Sequence, residues 1–163
     1  MGRLHIRQAT VDDVDALIQI GQRCATAPQW SENQYHQLFD LEQRPRMLVL
    51  VAESEDMPSK ILGFLVASRA LSEWELESIA VDPSSSRQGL GTRLMGELIA
   101  RVAAAGGGAI LLEVRASNAA ARAFYETCGF EPAGLRKLYY SNPPEDAILY
   151  RHTVEPTANP LSS

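Results

Sequence analysis

The chain has 163 residues, 45% of them hydrophobic and 21% charged, which suits one domain with a full core and is too short for two ordinary ones. No apolar run nears the ~20 residues of a membrane span, and no basic-then-apolar leader opens the chain, so neither membrane insertion nor export is expected and the cytoplasm is the expected location. The net charge of −5 argues against direct nucleic-acid binding, which needs a basic surface, and suits a cationic acceptor such as an amine or a basic peptide.

Leu4 to Ala9 alternates as a short strand. Thr10-Val11-Asp12-Asp13 reads as a capping-box helix start, followed by Val14, Leu17, Ile18 and Gly21 at helical spacing. Ser31-Glu32-Asn33-Gln34 opens a second helix, with Tyr35, Leu38 and Phe39 on one face. Between the two, Trp30 stands near Pro28; a core plug or staple is the expected role, a ligand contact the alternative. Met47 to Glu53 and Ile61 to Ser68, joined by a polar turn, form an antiparallel hairpin.

Trp74 to Val81 is the next strand. Trp74, Leu76, Ser78 and Ala80 alternate with Glu75, Glu77, Ile79 and Val81, and the impurity of both sets predicts a strand covered on both sides. Asp82-Pro83 ends it, because proline has no N–H for a ladder. After a serine-rich loop, Leu90, Leu94, Leu98 and Val102 predict a helix with one buried stripe, closed by Gly106-Gly107-Gly108. Ala109 to Arg115 is a strand, Ser117 and Asn118 cap a helix carrying Ala120, Ala123, Phe124 and Cys128, and that helix stops at Gly129. Glu131 to Tyr140 and Ala147 to Thr153 are the last two strands. Cys24 and Cys128 lie in helical patterns with no CxxC and no histidine cluster, so both are expected to be buried apolar residues without a redox or metal role. The order β-α-α-β-β-β-α-β-α-β-β predicts an α+β fold: a mixed, mostly antiparallel sheet flanked by helices in a single domain over residues 1–154, with residues 155–163 as a disordered tail.

The loop Arg87-Gln88-Gly89-Leu90-Gly91-Thr92 stands at the entrance of the third helix. Two glycines there let backbone N–H groups approach an anion, and the helix end adds unpaired donors and partial positive charge. A loop that merely turns the chain is the plain alternative. No lysine occurs between Lys60 and Lys137, which rules out a Walker loop, and Leu94 stands where a dinucleotide fingerprint needs a third glycine.

Arg-x-x-Gly-x-Gly, entered from Ile79-Ala80-Val81-Asp82-Pro83, resembles the acetyl-CoA loop of the GNAT acetyltransferases. Leu112 to Phe130, LEVRASNAAARAFYETCGF, together with PQWSE and RKLYY, is similar to the RimI-type N-terminal acetyltransferases. The likeness runs over about residues 4 to 153. It implies the GNAT fold, with the fourth and fifth strands splayed around acetyl-CoA. It also implies transfer of an acetyl group to a protein N-terminus, the N-terminal alanine of a small-subunit ribosomal protein in that family, with no metal. The chain departs from the family pattern in two places: Gln29 separates Pro28 from Trp30, and Glu75 and Glu77 make the fourth strand acidic.

Acetyl transfer from a thioester to an amine requires a neutral amine, a stabilised oxyanion and a protonated leaving thiolate. An α-amine of pKa about 7.7–8.0 asks far less of a base than a lysine near 10.4, and a glutamate is adequate for it. Glu113 shares a strand face with Leu111 and Arg115, away from Ile110, Leu112 and Val114; glutamate is disfavoured in strands, so its presence is informative. Read from the strand alone it is as well a surface residue paired with Arg115 or Arg87. The resemblance implies that it is the proton acceptor, with Glu77 as the rival. The resemblance further implies Tyr125 as the acid, Asn118 as a contact to the pantetheine arm, and the backbone of Ile79, Ala80 and Val81 as its docking edge. Tyr139 and Tyr140 flank the acceptor or pack across strands. Two other functions remain: acetylation of a small-molecule amine or lysine side chain, and a non-catalytic acyl-CoA-binding module, which would not need Glu113 and Tyr125.

Overall fold

Apolar periodicity is converted into two packed bodies built along one sheet. A computed structural model describes residues 3–24, 27–43, 45–57, 60–85 and 89–157. The elements are β1 (Leu4–Gln8), α1 (Val14–Arg23), α2 (Glu32–Gln37), β2 (Met47–Ser54), β3 (Ile61–Ala70), β4 (Glu73–Val81), α3 (Leu90–Ala104), β5 (Gly108–Arg115), α4 (Ala119–Thr127), β6 (Glu131–Ser141) and β7 (Pro144–Val154), with single 3-10 turns at Val11–Asp13 and Pro83–Ser85. The seven strands follow the order β1-β2-β3-β4-β5-β7-β6. One compact unit comprises the described residues up to Ala70 with Leu76–Leu98; the other comprises Leu71–Glu75 with the described residues from Ile99 on. β4 and α3 belong to both.

In the first unit, β1, β2 and β3 pair antiparallel. Val14, Leu17, Ile18 and Ile20 of α1 pack with Tyr35, Val49, Val51, Phe64 and Val66. Gly21 belongs to this contact: a Cβ on it would lie 2.0 Å from the Tyr35 hydroxyl, so only glycine lets the ring seat. Tyr35 meets Phe64 and Trp30 edge-on, at 6.2 and 5.3 Å between centroids, which makes Trp30 a staple of this core. Both expected helix starts are present. Thr10 N–H donates to Asp13 Oδ2 at 2.8 Å, and Ser31 Oγ accepts from Gln34 N–H at 3.1 Å while Gln34 Oε1 takes the Ser31 N–H. Asp13 also receives both terminal nitrogens of Arg7, at 2.8 and 2.9 Å; these bonds hold its carboxyl below the usual range despite burial.

β4 corrects one expectation. Trp74, Leu76, Ser78 and Ala80 are buried, but Glu73, Glu75 and Glu77 are exposed, and Ile79 and Val81 are half-buried. The strand is covered on one face only, because three carboxylates cannot leave water without partners. The stripe of α3 is as expected: Leu90, Leu94, Leu98 and Val102 are all buried, joined by Met95.

In the second unit, β5 pairs with β7 and β7 with β6, both antiparallel. The parallel ladder between β4 and β5 has three pairs, from Glu73–Ala109 to Glu75–Leu111, and then stops, although β4 runs on to Val81 and β5 to Arg115. Ala120 and Ala123 of α4 are exposed and none of its residues is fully buried; its contact surface is aromatic, through the half-buried Phe124 and Tyr125. One further expectation changes here. Cys24 and Cys128 are half-buried, not buried, and burial pushes the Cys128 thiol up. Beyond β7, Thr157 N–H donates to Ala103 O at 3.0 Å; residues 158–163 of the expected tail lie outside the described residues.

Candidate active site

The end of β4 leads into the glycine loop. The β4–β5 pairs run to Glu75, and β4 continues to Val81. Ile79 and Val81 are half-buried there, and the Ala80 methyl is buried, which leaves Ala80 only its main chain to offer. Asp82 ties the turn down. Its N–H donates to Leu62 O at 2.7 Å, and its carboxylate accepts from Ser84 N–H at 3.0 Å, from the Ser84 hydroxyl at 2.9 Å and from Arg23 at 3.0 Å. Burial pushes the Asp82 carboxyl up, but the Ser84 hydrogen bonds, with Arg23 and Lys60, outweigh it and hold the group below its usual range. Arg87 and Gln88 lie outside the described residues. Gly89 has φ +70° and nothing within 4 Å of where a Cβ would stand, so its backbone is openly approachable in a conformation that favours glycine. Leu90 turns its side chain into the core, Gly91 is half-buried and Thr92 is exposed.

Glu113 sits near the far end of β5. The ladder pairs it with Leu149, on the face opposite Leu112 and its partner Tyr150. Its side chain is 15% exposed and its Oε1 lies 3.2 Å from Arg136 Nη1, on β6. The Tyr139 hydroxyl donates to the same carboxylate; this bond, with the negative charge, raises the Tyr139 phenol above its ordinary value. The Arg136 guanidinium lies 5.5 Å from the centre of the Tyr139 ring. The bonded partner is Arg136 and not Arg115, one of the two expected for a merely surface glutamate; Arg87, the other, lies outside the described residues. Arg115 instead bonds Pro143 O at 3.1 Å, Asn142 O at 3.3 Å and Glu145 at 3.4 Å, and stacks on Tyr140 at 4.3 Å.

Tyr125 lies on the other face. Its ring is half-buried against Phe130 and Tyr150, at 6.1 and 6.4 Å, and Tyr150 is the ladder partner of Leu112. Asn118 caps α4: its Oδ1 accepts the Ala121 N–H at 3.1 Å, which uses the carbonyl end of the amide and not Nδ2. Arg122 closes the same turn by donating to Ala116 O and the Tyr150 hydroxyl. Glu77, the rival base, lies on the exposed face of β4.

Arg136 is the residue that sequence reasoning passed over. It lies within RKLYY, beside the tyrosines that drew attention, but β6 does not run regularly past β7. From Arg136 to Tyr140 is four steps on β6, against two steps from Ala147 to Glu145 on β7. Leu138 sits in this bulge at φ +50°, with its N–H on Asp146 Oδ1. In a regular strand Arg136 and Tyr139 would face opposite ways; the bulge turns both to Glu113.

A model of the acetyltransferase (GNAT) family matches residues 14–130. The chain belongs to that family. It is an acetyl-CoA-dependent acyltransferase, and the RimI-type likeness holds as well. The chain is 40% identical over 139 residues to a ribosomal protein bS18-alanine N-acetyltransferase of Salmonella typhimurium, covering 84% of this chain and 88% of that one. The crystal structure of the ribosomal-protein-S18-alanine N-acetyltransferase from Escherichia coli matches with a TM-score of 0.83 at 34% identity, over 99% of this chain and 100% of that one. A ribosomal-protein-alanine N-acetyltransferase from Brucella melitensis shares the fold, with a TM-score of 0.78 at 24% identity, over 92% of this chain and 99% of that one. The residues present fit acetyl-CoA: β4 offers its main chain at Ile79–Val81 to amides of a pantetheine arm, and an open glycine at a helix start is available to phosphates. Among the described residues no helix is long and apolar enough to cross a membrane.

Proposed function

We propose that this enzyme transfers the acetyl group of acetyl-CoA to a protein N-terminal amine, the N-terminal alanine of a small-subunit ribosomal protein in particular, with Glu113 as general base and Tyr125 as general acid. The observation that carries the reading is the Glu113 carboxylate, oriented by Tyr139 and Arg136 beside the open end of β5, in a chain so similar to ribosomal-protein-alanine acetyltransferases. A ribosomal acceptor is met in the cytoplasm, and the acidic chain reaches it as a peptide, without binding nucleic acid.

Bound acetyl-CoA supplies an activated thioester. The backbone of Ile79, Ala80 and Val81 holds its arm and orients the reacting carbonyl with donors that need no reorganisation. Gly89, Leu90, Gly91 and Thr92 offer main-chain N–H groups to its phosphates, with Arg87 and Gln88 contributing from the same loop, and Asn118 reaches the arm through Nδ2. Glu113 takes the proton of the attacking amine. Tyr125 gives its proton to the departing thiolate from the Leu112–Tyr150 side of β5, while Glu113 serves the amine from the Leu149 side. Base and acid on two sides of one strand do not quench each other by direct proton exchange.

The test is release of CoA thiol with a peptide beginning in alanine, the same peptide blocked at its N-terminus, and a panel of small amines. Turnover confined to the free N-terminus is expected. Preference for the blocked lysine-containing peptide or for a small amine overturns the acceptor assignment.

A further inference from the structure

Arg136 lies on an exposed edge strand, where a guanidinium has water on every side to choose from. It instead crosses a whole strand to reach Glu113. The ladders set Arg115, Ala147 and Arg136 in one row and Glu113, Leu149 and Gly134 in the next. Ala147, the β7 residue between Arg136 and Arg115, is small, which leaves room for the arginine to cross β7. Its terminal nitrogen arrives 3.2 Å from a carboxylate that is itself largely withdrawn from water.

The other charges around Glu113 are held elsewhere or are negative, which leaves Arg136 to offset its carboxylate. Arg115 is taken by Glu145 and by the Asn142 and Pro143 carbonyls, Asp146 is turned to the Leu138 N–H, Tyr139 and Tyr140 are phenols raised above their ordinary values, and Glu75 contributes a negative charge toward Tyr139. Glu113 with Arg136 is therefore a neutral pair, not a bare carboxylate. A neutral pair does not draw in an ammonium ion; it receives an amine that is already uncharged.

We propose that Arg136 is a specificity-determining residue: by cancelling the charge of Glu113 it makes the site select acceptors on their neutral fraction, admitting α-amines and refusing lysine ε-ammonium groups. This rests on the reading of Glu113 as the base. The discrimination available is large. At pH 7 an α-amine of pKa about 7.7–8.0 is roughly 10–17% neutral, while a lysine near 10.4 is about 0.04% neutral, a ratio of a few hundred. A carboxylate without its arginine attracts both ammonium ions alike and forfeits part of that ratio.

The experiment compares kcat/KM for an alanine-initiated peptide with that for an N-terminally blocked peptide carrying one lysine, in wild type, Arg136→Gln and Arg136→Lys, at pH 7 and pH 9. In wild type the ratio should be high at pH 7 and fall about tenfold or more by pH 9, following the neutral fractions. In Arg136→Gln the ratio at pH 7 should fall by about tenfold and vary less with pH, with the melting shift caused by acetyl-CoA unchanged. Arg136→Lys, which keeps the charge, should retain most of the discrimination. A ratio within twofold of wild type in Arg136→Gln, with Glu113→Gln inactive on the alanine peptide, overturns this inference and leaves the proposed function standing. Loss of both activities in Arg136→Gln also overturns it, by making the residue a requirement of turnover. Wild type that uses the blocked lysine peptide as well as the alanine peptide, or neither, removes the N-terminal reading and this inference together.

Discussion

Replacing Glu113 by glutamine isolates charge from shape. Glutamine keeps the length of the side chain and a carbonyl oxygen for the Tyr139 hydroxyl, so the face shared with Leu149 stays packed. What disappears is the negative charge opposite Arg136, and that guanidinium has a 57% exposed side chain that water can solvate. The folding cost is accordingly that of an ion pair whose cation keeps its water, about 1 kcal/mol, or no more than ~4 °C in Tm for a chain of this size. The catalytic cost is of another order: a general base contributes about 10²- to 10⁴-fold, or ~3–5 kcal/mol in the barrier. The pH dependence is separate from that cost. From pH 7 to pH 9 the neutral fraction of a free α-amine rises from roughly 10–17% to over 90%, some six- to tenfold, and the rates of wild type and variant on an alanine peptide should both rise by about that factor. The assay is the initial rate of CoA thiol release with an alanine peptide at both pH values, beside Glu77→Gln under the same conditions. Activity of Glu113→Gln within threefold of wild type at pH 7, with the large defect at Glu77 in its place, would refute the assignment and move the base to β4.

Acetyl-CoA at 100 times its Kd should stabilise the fold by about 2.7 kcal/mol, which at ~2–4 °C per kcal/mol is a Tm rise of about 5–11 °C; Gly89→Val should abolish most of that shift, because φ +70° and the open approach both suit glycine alone. Tyr125→Phe keeps the ring against Phe130 and Tyr150 and should lower kcat about 10²-fold with acetyl-CoA affinity unchanged, as read by steady-state kinetics and titration. Asp13→Asn should cost about 1–3 kcal/mol at pH 7 by weakening the bonds to Arg7. The folded carboxyl lies below its ordinary value of 3.8, so this stability is present above that value and is lost as the pH falls through the lower, folded one; melting curves of wild type and variant should converge on the acid side.

Much of this architecture is legible in the residues. The element order, both helix starts in the first unit, the four-residue stripe of α3 and the alternation of β5 around Glu113 follow from local chemistry, where neighbours in the chain are neighbours in space. The failure at β4 has a cause as well. Glu75 and Glu77 make β4 a one-sided strand, and pattern counting weighted them against Ile79 and Val81 where the cost of burying a charge decides. The partner of Glu113 was out of reach for a stricter reason. It depends on a bulge in β6 whose left-handed residue is Leu138, a type that gives no warning of positive φ. Register across two strands is a property of the whole sheet and not of any segment.

The same region supports the proposed placement of the chemistry at the end of β5. Arg115, two residues past Glu113, grips the β6–β7 turn through the Asn142 and Pro143 carbonyls and stacks on Tyr140. It also meets Glu145, whose other oxygen accepts the Ser117 N–H. Those bonds from Ser117, aided by Arg115, keep the Glu145 carboxyl ionised well below its usual range. Ser117 immediately precedes Asn118, the cap of α4. One guanidinium therefore braces the hairpin that carries Tyr139 to Glu113, the proposed base, and, through a single carboxylate, the first turn of the helix that carries Tyr125, the proposed acid. The orienting groups of Glu113 and the helix of Tyr125 are thereby tied to one another through Arg115 and Glu145. A strand end held in this way gives two side chains on opposite faces a common frame, which a loop carrying both could not supply.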